Sequence, residues 1–294
     1  MKAVIFGGSG FLGTWLVKKL VENNIKTIIF DKNKTSLKNF VDLNDTNIQF
    51  IEGDITNSEQ VSDISKMGDV LINLAGLMTP DCSKNPISGV SVNIIGSINV
   101  FKAAINQNNK YVIYTSSGGV FGREDSEIPF PETHYGAFKL AVEGVARAFF
   151  LENNLSSFGL RPFIIYGPGR EVGGTAGITL ACKALAKNED YEIPFSGKAG
   201  FVYVEDVAEI IIQLTKKQIV GPNVMNINGV SCKISDMLKI FSNLNNKSKI
   251  SYKDIKLPII GEIYGNSPEK YIKDFVYTSL DKGIKYTVDF YRKC

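Results

Sequence analysis

Two groups of residues in this 294-residue chain have the types and spacing to do chemistry together. Tyr135 and Lys139 stand four apart, so on a helix they share a face. An ammonium beside a phenol favours the phenolate and draws its pKa from about 10 toward neutrality. Such a phenol exchanges a proton with a substrate hydroxyl while the adjoining carbon exchanges hydride with a redox cofactor. Ser117, just past the apolar run Tyr111-Val112-Ile113-Tyr114, can hold the reacting oxygen. The second group is Gly7, Gly10 and Gly13, which follow Lys2-Ala3-Val4-Ile5-Phe6 directly. Glycine at these positions lets the chain turn sharply off a strand, bring N–H groups to a pyrophosphate and pack the next helix closely. Each pattern alone is weak; their order along one chain makes a dinucleotide-dependent site the coherent reading.

The cofactor choice rests on Asp31, which closes the run Lys26-Thr27-Ile28-Ile29-Phe30, near the ~20-residue offset at which an acid reads the ribose hydroxyls. A carboxylate there repels a 2′-phosphate and selects NAD over NADP, although Lys32 and Lys34 lie beside it. Positioning these residues takes alternating strands and helices. Residues 48–51, 70–74 and 111–114 read as further buried strands, and segments near 58–66, 87–107 and 134–153 as crossover helices. The predicted fold class is α/β, a doubly wound, Rossmann-type parallel sheet with a smaller C-terminal substrate-binding lobe. The predicted NAD-binding domain spans 1–166, with parts of 200–228 returning to it. The lobe takes 167–199 and 229–294 and covers the carboxyl ends of the strands.

Composition excludes several classes. Hydrophobic residues make up 44% and charged residues 21% of the chain, ordinary globular usage. A net charge of +3 does not call for nucleic acid or an acidic membrane. The four cysteines, Cys82, Cys182, Cys232 and Cys294, form no CxxC pair and there is one histidine, so no metal site or disulfide framework is expected. A reducing, cytoplasmic setting fits, and no run of 18 apolar residues suggests a membrane span.

The segments GGSGFLG (7–13), NLAG (73–76), NIIGSINV (93–100), YTSSGGVFG (114–122), YGAFK (135–139), LRPFIIYGPG (160–169) and FVYVEDVA (201–208) resemble, in order and spacing, the extended short-chain dehydrogenase/reductase superfamily. Within it they are similar to the NAD-dependent epimerase/dehydratase family, which acts largely on nucleotide sugars. The resemblance implies that Phe11 and Leu12 line the pyrophosphate turn and that Asp54 with Ile55 contacts adenine. It places Leu74, Ala75 and Gly76 against the cofactor. It gives Ser117, Tyr135 and Lys139 the catalytic roles, Tyr135 and Lys139 also touching the cofactor, and has Asn93 brace the active-site end of its helix.

Departures from the family pattern narrow the reaction. Gly118-Gly119 replaces the Asp-Glu pair of the sugar 4,6-dehydratases, so a dehydratase is disfavoured, and the stretch also lacks the reactive cysteine that the family's epimerase-reductases carry there. An epimerase, dehydrogenase or ketoreductase acting at a carbinol, most naturally C4, is expected. Ile164 stands where nucleotide-sugar members carry Asn, and Ala199 where they carry Arg. Arg170, Lys183 or Lys198 could hold a diphosphate instead, Arg170 being favoured for its bidentate guanidinium. Met78 and Thr79 are expected to wall the substrate pocket. The substrate stays open between a nucleotide sugar and a small non-nucleotide sugar acid. A non-catalytic dinucleotide-sensing protein is the alternative class, disfavoured because both Tyr135 and Lys139 are kept. A homodimer is expected through the apolar stripes Val92, Ile95, Val100 and Val142, Val145, Phe149.

Overall fold

The computed structural model describes residues 1–108, 110–123, 127–245, 247–257 and 260–293, and Cys294 lies outside the described residues. In chain order the elements are β1 (Lys2–Phe6), α1 (Phe11–Glu22), β2 (Lys26–Asp31), β3 (Ile48–Glu52), α2 (Ser58–Ser65), β4 (Val70–Asn73), α3 (Thr79–Lys84), α4 (Pro86–Val90), a π-helical turn (Ser91–Ile95), α5 (Gly96–Asn106), β5 (Tyr111–Thr115), α6 (His134–Asn153) and β6 (Ser157–Pro162). They continue with β7 (Ile164–Tyr166), α7 (Gly177–Lys187), β8 (Tyr191–Ile193), β9 (Lys198–Tyr203), α8 (Val204–Lys217), β10 (Pro222–Ile227), β11 (Val230–Lys233), α9 (Ile234–Leu244), β12 (Ile250–Tyr252) and α10 (Leu280–Tyr291).

The chain forms two compact units. The first comprises Met1–Val120, Pro131–Arg161 and Val207–Met225; the second takes Phe121–Phe130, Pro162–Asp206 and the residues from Asn226 onward. The sequence reading carried the first domain through to 166, whereas the division falls at Arg161 and also assigns Phe121–Phe130 and residues 200–206 to the second unit. The reason is strand pairing: past Pro162 the chain leaves the first sheet, and β7 pairs with β9 in a separate one.

The first unit is built on a seven-stranded sheet of order β10-β6-β5-β4-β1-β2-β3. The strands from β1 to β6 pair in parallel, with Val4 opposite both Ile28 and Leu71 and Ile113 opposite Phe158. Strand order reverses between β1 and β4, and the carboxyl ends at such a switch point are where ligands bind in this architecture. Val4, Phe6, Phe30, Leu71, Val112 and Tyr114 of the sheet pack with Val100, Phe101, Val142 and Ala146 of the helices. Each fully buried aliphatic side chain stabilises the unit by about 1.5–3 kcal/mol.

One helix was expected over 87–107. Pro86 opens α4 instead, capped by Asn85 accepting from Ser88 N–H at 3.1 Å, and the π-helical turn separates it from α5. The run 86–106 is long and apolar enough by composition to cross a membrane, yet Val100, Phe101, Ala103 and Ala104 belong to the core of this unit. α6 matches its expected span; Thr133 caps its start by accepting from Gly136 N–H at 3.1 Å, and Asn154 ends it in a left-handed conformation at φ 56°.

The second unit holds a three-stranded sheet, with β11 antiparallel and β7 parallel to a central β9, and a parallel pair of β12 with β8. α10 packs on both α7 and α9.

Candidate active site

The residues expected to bind the cofactor or do chemistry, and Met78 and Thr79, lie in the first unit, whereas the basic candidates Arg170, Lys183 and Lys198 lie in the second. At the end of β1, Gly7 takes φ +79° and donates to Phe30 O at 2.9 Å, and Gly10 N–H returns to Gly7 O at 3.2 Å. A methyl group on Gly7 would lie 2.6 Å from Ala75 N, and one on Gly13 would lie 2.5 Å from Gly7 O, so backbone fills both places. Gly10 begins α1 without any side-chain acceptor, and no acidic residue stands in the first turn, formed by Phe11, Leu12 and Gly13. A helix start of this kind suits an anion. Leu74 N–H donates to Phe6 O at 2.9 Å and Ala75 N–H to Asn73 Oδ1 at 3.1 Å, which lays residues 74–76 along the glycine turn.

At the end of β2, the Asp31 carboxylate accepts from Ser9 N–H at 2.8 Å and from Lys32 N–H at 2.7 Å, fixing it beside the same turn. Lys32 Nζ meets Asp54 Oδ2 at 3.0 Å. The Asp54 carboxyl is held below its usual range: partial burial opposes this, and hydrogen bonds from Thr56 and the Lys32 ammonium outweigh it. Ile55, expected beside adenine, has its side chain packed into the core against Gly96. The glycine cradle, the uncapped helix start and the placed carboxylate together fit a dinucleotide.

Ser117, Tyr135 and Lys139, the residues expected to be catalytic, gather near the end of β5. Ser117 Oγ accepts from Gly119 N–H at 3.0 Å. A methyl on Gly119 would stand 3.3 Å from that oxygen and 3.9 Å from the Tyr135 ring, so both side chains face one small space over Gly119. Lys139 Nζ lies 5.7 Å from the centre of the Tyr135 ring and donates to Thr115 O at 2.8 Å. Lys139 is buried, and that burial pushes its ammonium pKa down to about 8. Asn93, fully buried in the π-helical turn, donates to Leu77 O at 3.1 Å and so ties that turn to the segment after β4. Met78 and Thr79 are exposed where α3 begins.

The model of the "NAD dependent epimerase/dehydratase family" matches residues 3–228 of the chain. The chain belongs to that family. Protein CapI of Staphylococcus aureus is 27% identical over 99% of this chain and 98% of its own length. A putative UDP-glucose 4-epimerase of Methanocaldococcus jannaschii is 29% identical over 70% of each. The solved UDP-N-acetylglucosamine 4-epimerase of Methanobrevibacter ruminantium, 24% identical, superposes with a TM-score of 0.87 over 99% of this chain and 98% of that one, and shares its fold.

As a member of the epimerase/dehydratase family the chain is an NAD-dependent enzyme, and two of its site residues give predictions. Asp31→Ala is expected to narrow the preference for NAD over NADP, from about 1–3 kcal/mol, the size of a charge-assisted contact exchanged for a repulsion. Calorimetry with both cofactors checks it; an unchanged ratio would reject the role. Burial of the Lys139 ammonium also bears on stability. Between about pH 8 and 10.5 the unfolded chain keeps a proton that the folded one has released, so this lysine makes the fold more stable as pH rises through that window. Lys139→Met should abolish that rise, raise the melting temperature of the cofactor-free protein near neutral pH and lower turnover; melts at about pH 7 and about pH 9.5 read the first two.

Ile164 on β7 and Ala199 on β9 are both buried, so neither place offers a phosphate contact. Of the three basic candidates in the second unit, Lys183 is paired with Glu171, and Lys198 with Glu262 at 2.8 Å. Arg170 follows a turn in which Gly167 and Gly169 take φ of 142° and 93°. Its N–H donates to Gly167 O at 3.2 Å.

Sequence reasoning missed Glu143, a buried carboxylate four residues past Lys139, and its partner Arg161. The signal was present: an acid on the stripe that carries Tyr135 and Lys139 needs a buried partner.

Proposed function

We propose that the chain is an NAD-dependent 4-epimerase of a nucleotide-linked hexose. The observation that carries this is the pair Ser117 and Tyr135 facing one space over Gly119, with Lys139 beside the Tyr135 ring and glycine where an elimination would need carboxylates. Ser117 hydrogen-bonds the C4 oxygen, and Tyr135 takes the hydroxyl proton as the carbinol becomes a ketone. When bound, NAD supplies the hydride acceptor and donor. Hydride returned to the opposite face of the ketone, with the proton coming back from Tyr135, inverts C4 with no net redox change. Met78 and Thr79, exposed where α3 begins, border the sugar. The relatives named as UDP-sugar 4-epimerases support this choice of substrate.

A second reading, a dehydrogenase of a small sugar acid, draws on the buried Ile164 and Ala199, which remove two diphosphate contacts. We further propose a cytoplasmic homodimer without nucleic-acid or membrane partners. Val100 and Val142 are core residues, so an interface on these helices would rest on the exposed Ile87, Ile95 and Leu151; light scattering reads the assembly.

The deciding experiment incubates the purified protein and NAD with UDP-, GDP-, dTDP- and CDP-hexoses, free sugars and sugar acids, following nicotinamide absorbance and product stereochemistry. A C4 epimer without net NADH supports the proposal. Stoichiometric NADH assigns a dehydrogenase, and NAD binding without turnover of any substrate assigns a sensor.

A further inference from the structure

α6 presents Tyr135, Lys139 and Glu143 at successive four-residue steps, on one helix face. The first two belong to the chemistry, and Glu143 does not. Its carboxylate, buried, receives both arms of the Arg161 guanidinium, Nε on Oε1 at 2.7 Å and Nη2 on Oε2 at 2.6 Å. The hydroxyl of Ser116, also buried, donates to Oε1. Ser116 immediately precedes Ser117, and its N–H donates to Leu160 O at 2.6 Å, next to Arg161 on β6. One carboxylate therefore joins the catalytic helix to the ends of two adjacent strands.

Stability alone is a poor explanation for this arrangement. A buried ion pair usually gains little over well-packed apolar residues of the same size, because both ions lose their hydration. What a planar, two-pronged pair does supply is a fixed orientation. Rotation or sliding of α6 would carry the Tyr135 ring away from the space over Gly119 that Ser117 also faces, and a misplacement of about 1 Å can cost about 10²-fold in rate.

We infer that Ser116, Glu143 and Arg161 are positioning residues, which lock α6 in rotation and height so that Tyr135 and Ser117 address the same substrate oxygen. This rests on the reading of Tyr135 and Ser117 given under the proposed function.

The test compares Ser116→Ala, Arg161→Lys and the apolar pair Glu143→Leu/Arg161→Met, using the substrate that wild type turns over. Each is expected to lower kcat by about 10–10²-fold, with little change in substrate KM or NAD affinity. The apolar pair should melt at or above the wild-type temperature while kcat stays depressed. Recovery of wild-type kcat along with stability in that pair would overturn the inference and leave a purely structural network. If the pair does not fold, Ser116→Ala decides, since it removes one hydroxyl, and an unchanged kcat overturns the inference. Wild-type turnover that survives Tyr135→Phe instead rejects the underlying catalytic reading, and the positioning role with it.

Discussion

Replacing Tyr135 by phenylalanine is expected to reduce turnover by about 10²–10⁴-fold, the usual worth of a positioned general acid or base. The substitution isolates the hydroxyl. Phenylalanine keeps the ring near Lys139 Nζ, and the cap from Thr133 and the seating of Gly136 under Gly119 O do not involve the phenol. Folding and NAD affinity should therefore persist while kcat collapses. Steady-state kinetics with a parallel cofactor titration checks this, and near-wild-type turnover would move the acid/base role to another group.

An equally large effect of a different kind is expected from Gly13→Ala. The added methyl would meet Gly7 O at 2.5 Å and Gly8 C and O at 2.6 Å, all of them backbone atoms that cannot swing aside. Relief requires α1 to pull away from the turn, which costs about 1–3 kcal/mol as overpacking and spoils the phosphate cradle. We expect a lower melting temperature and NAD affinity weakened by at least about 10²-fold, the loss of roughly two charge-assisted hydrogen bonds. Gly10→Ala serves as the graded comparison, because its methyl would meet only Gly7 O, at 3.3 Å. Its melting temperature should fall less. If Gly13→Ala matches wild type in both readouts, the turn is not the rigid element described.

The parts legible in the sequence are those set by local pattern. β1, β2, β4 and β5 are buried on both faces and so read as unbroken apolar runs, and the glycine triplet and Asp31 mark the β1 and β2 ends by type alone. Residues 157–162, Ser-Phe-Gly-Leu-Arg-Pro, conceal a strand because glycine, arginine and proline each argue against one. The arginine is tolerated there because Glu143 receives it, and while the acid on the α6 stripe signals that a buried partner exists, nothing local says that it is Arg161. The division of 86–106 was hidden for a similar reason, since the π-helical turn at Ser91–Ile95 is sustained by the reach of Asn93 to Leu77 O. On the stripe reading of assembly, Val100 and Val142 looked free to face a partner and are instead internal to the first unit.

The interleaving of the two units sets the order in which they can be completed as the chain is synthesised. β6 emerges early, but its outer neighbour β10 begins only at Pro222, after β7, α7, β8 and β9 have been made. At about 5–20 residues per second, the outer edge of β6 waits for seconds with bare N–H and C=O groups, a template for pairing with any extended segment nearby.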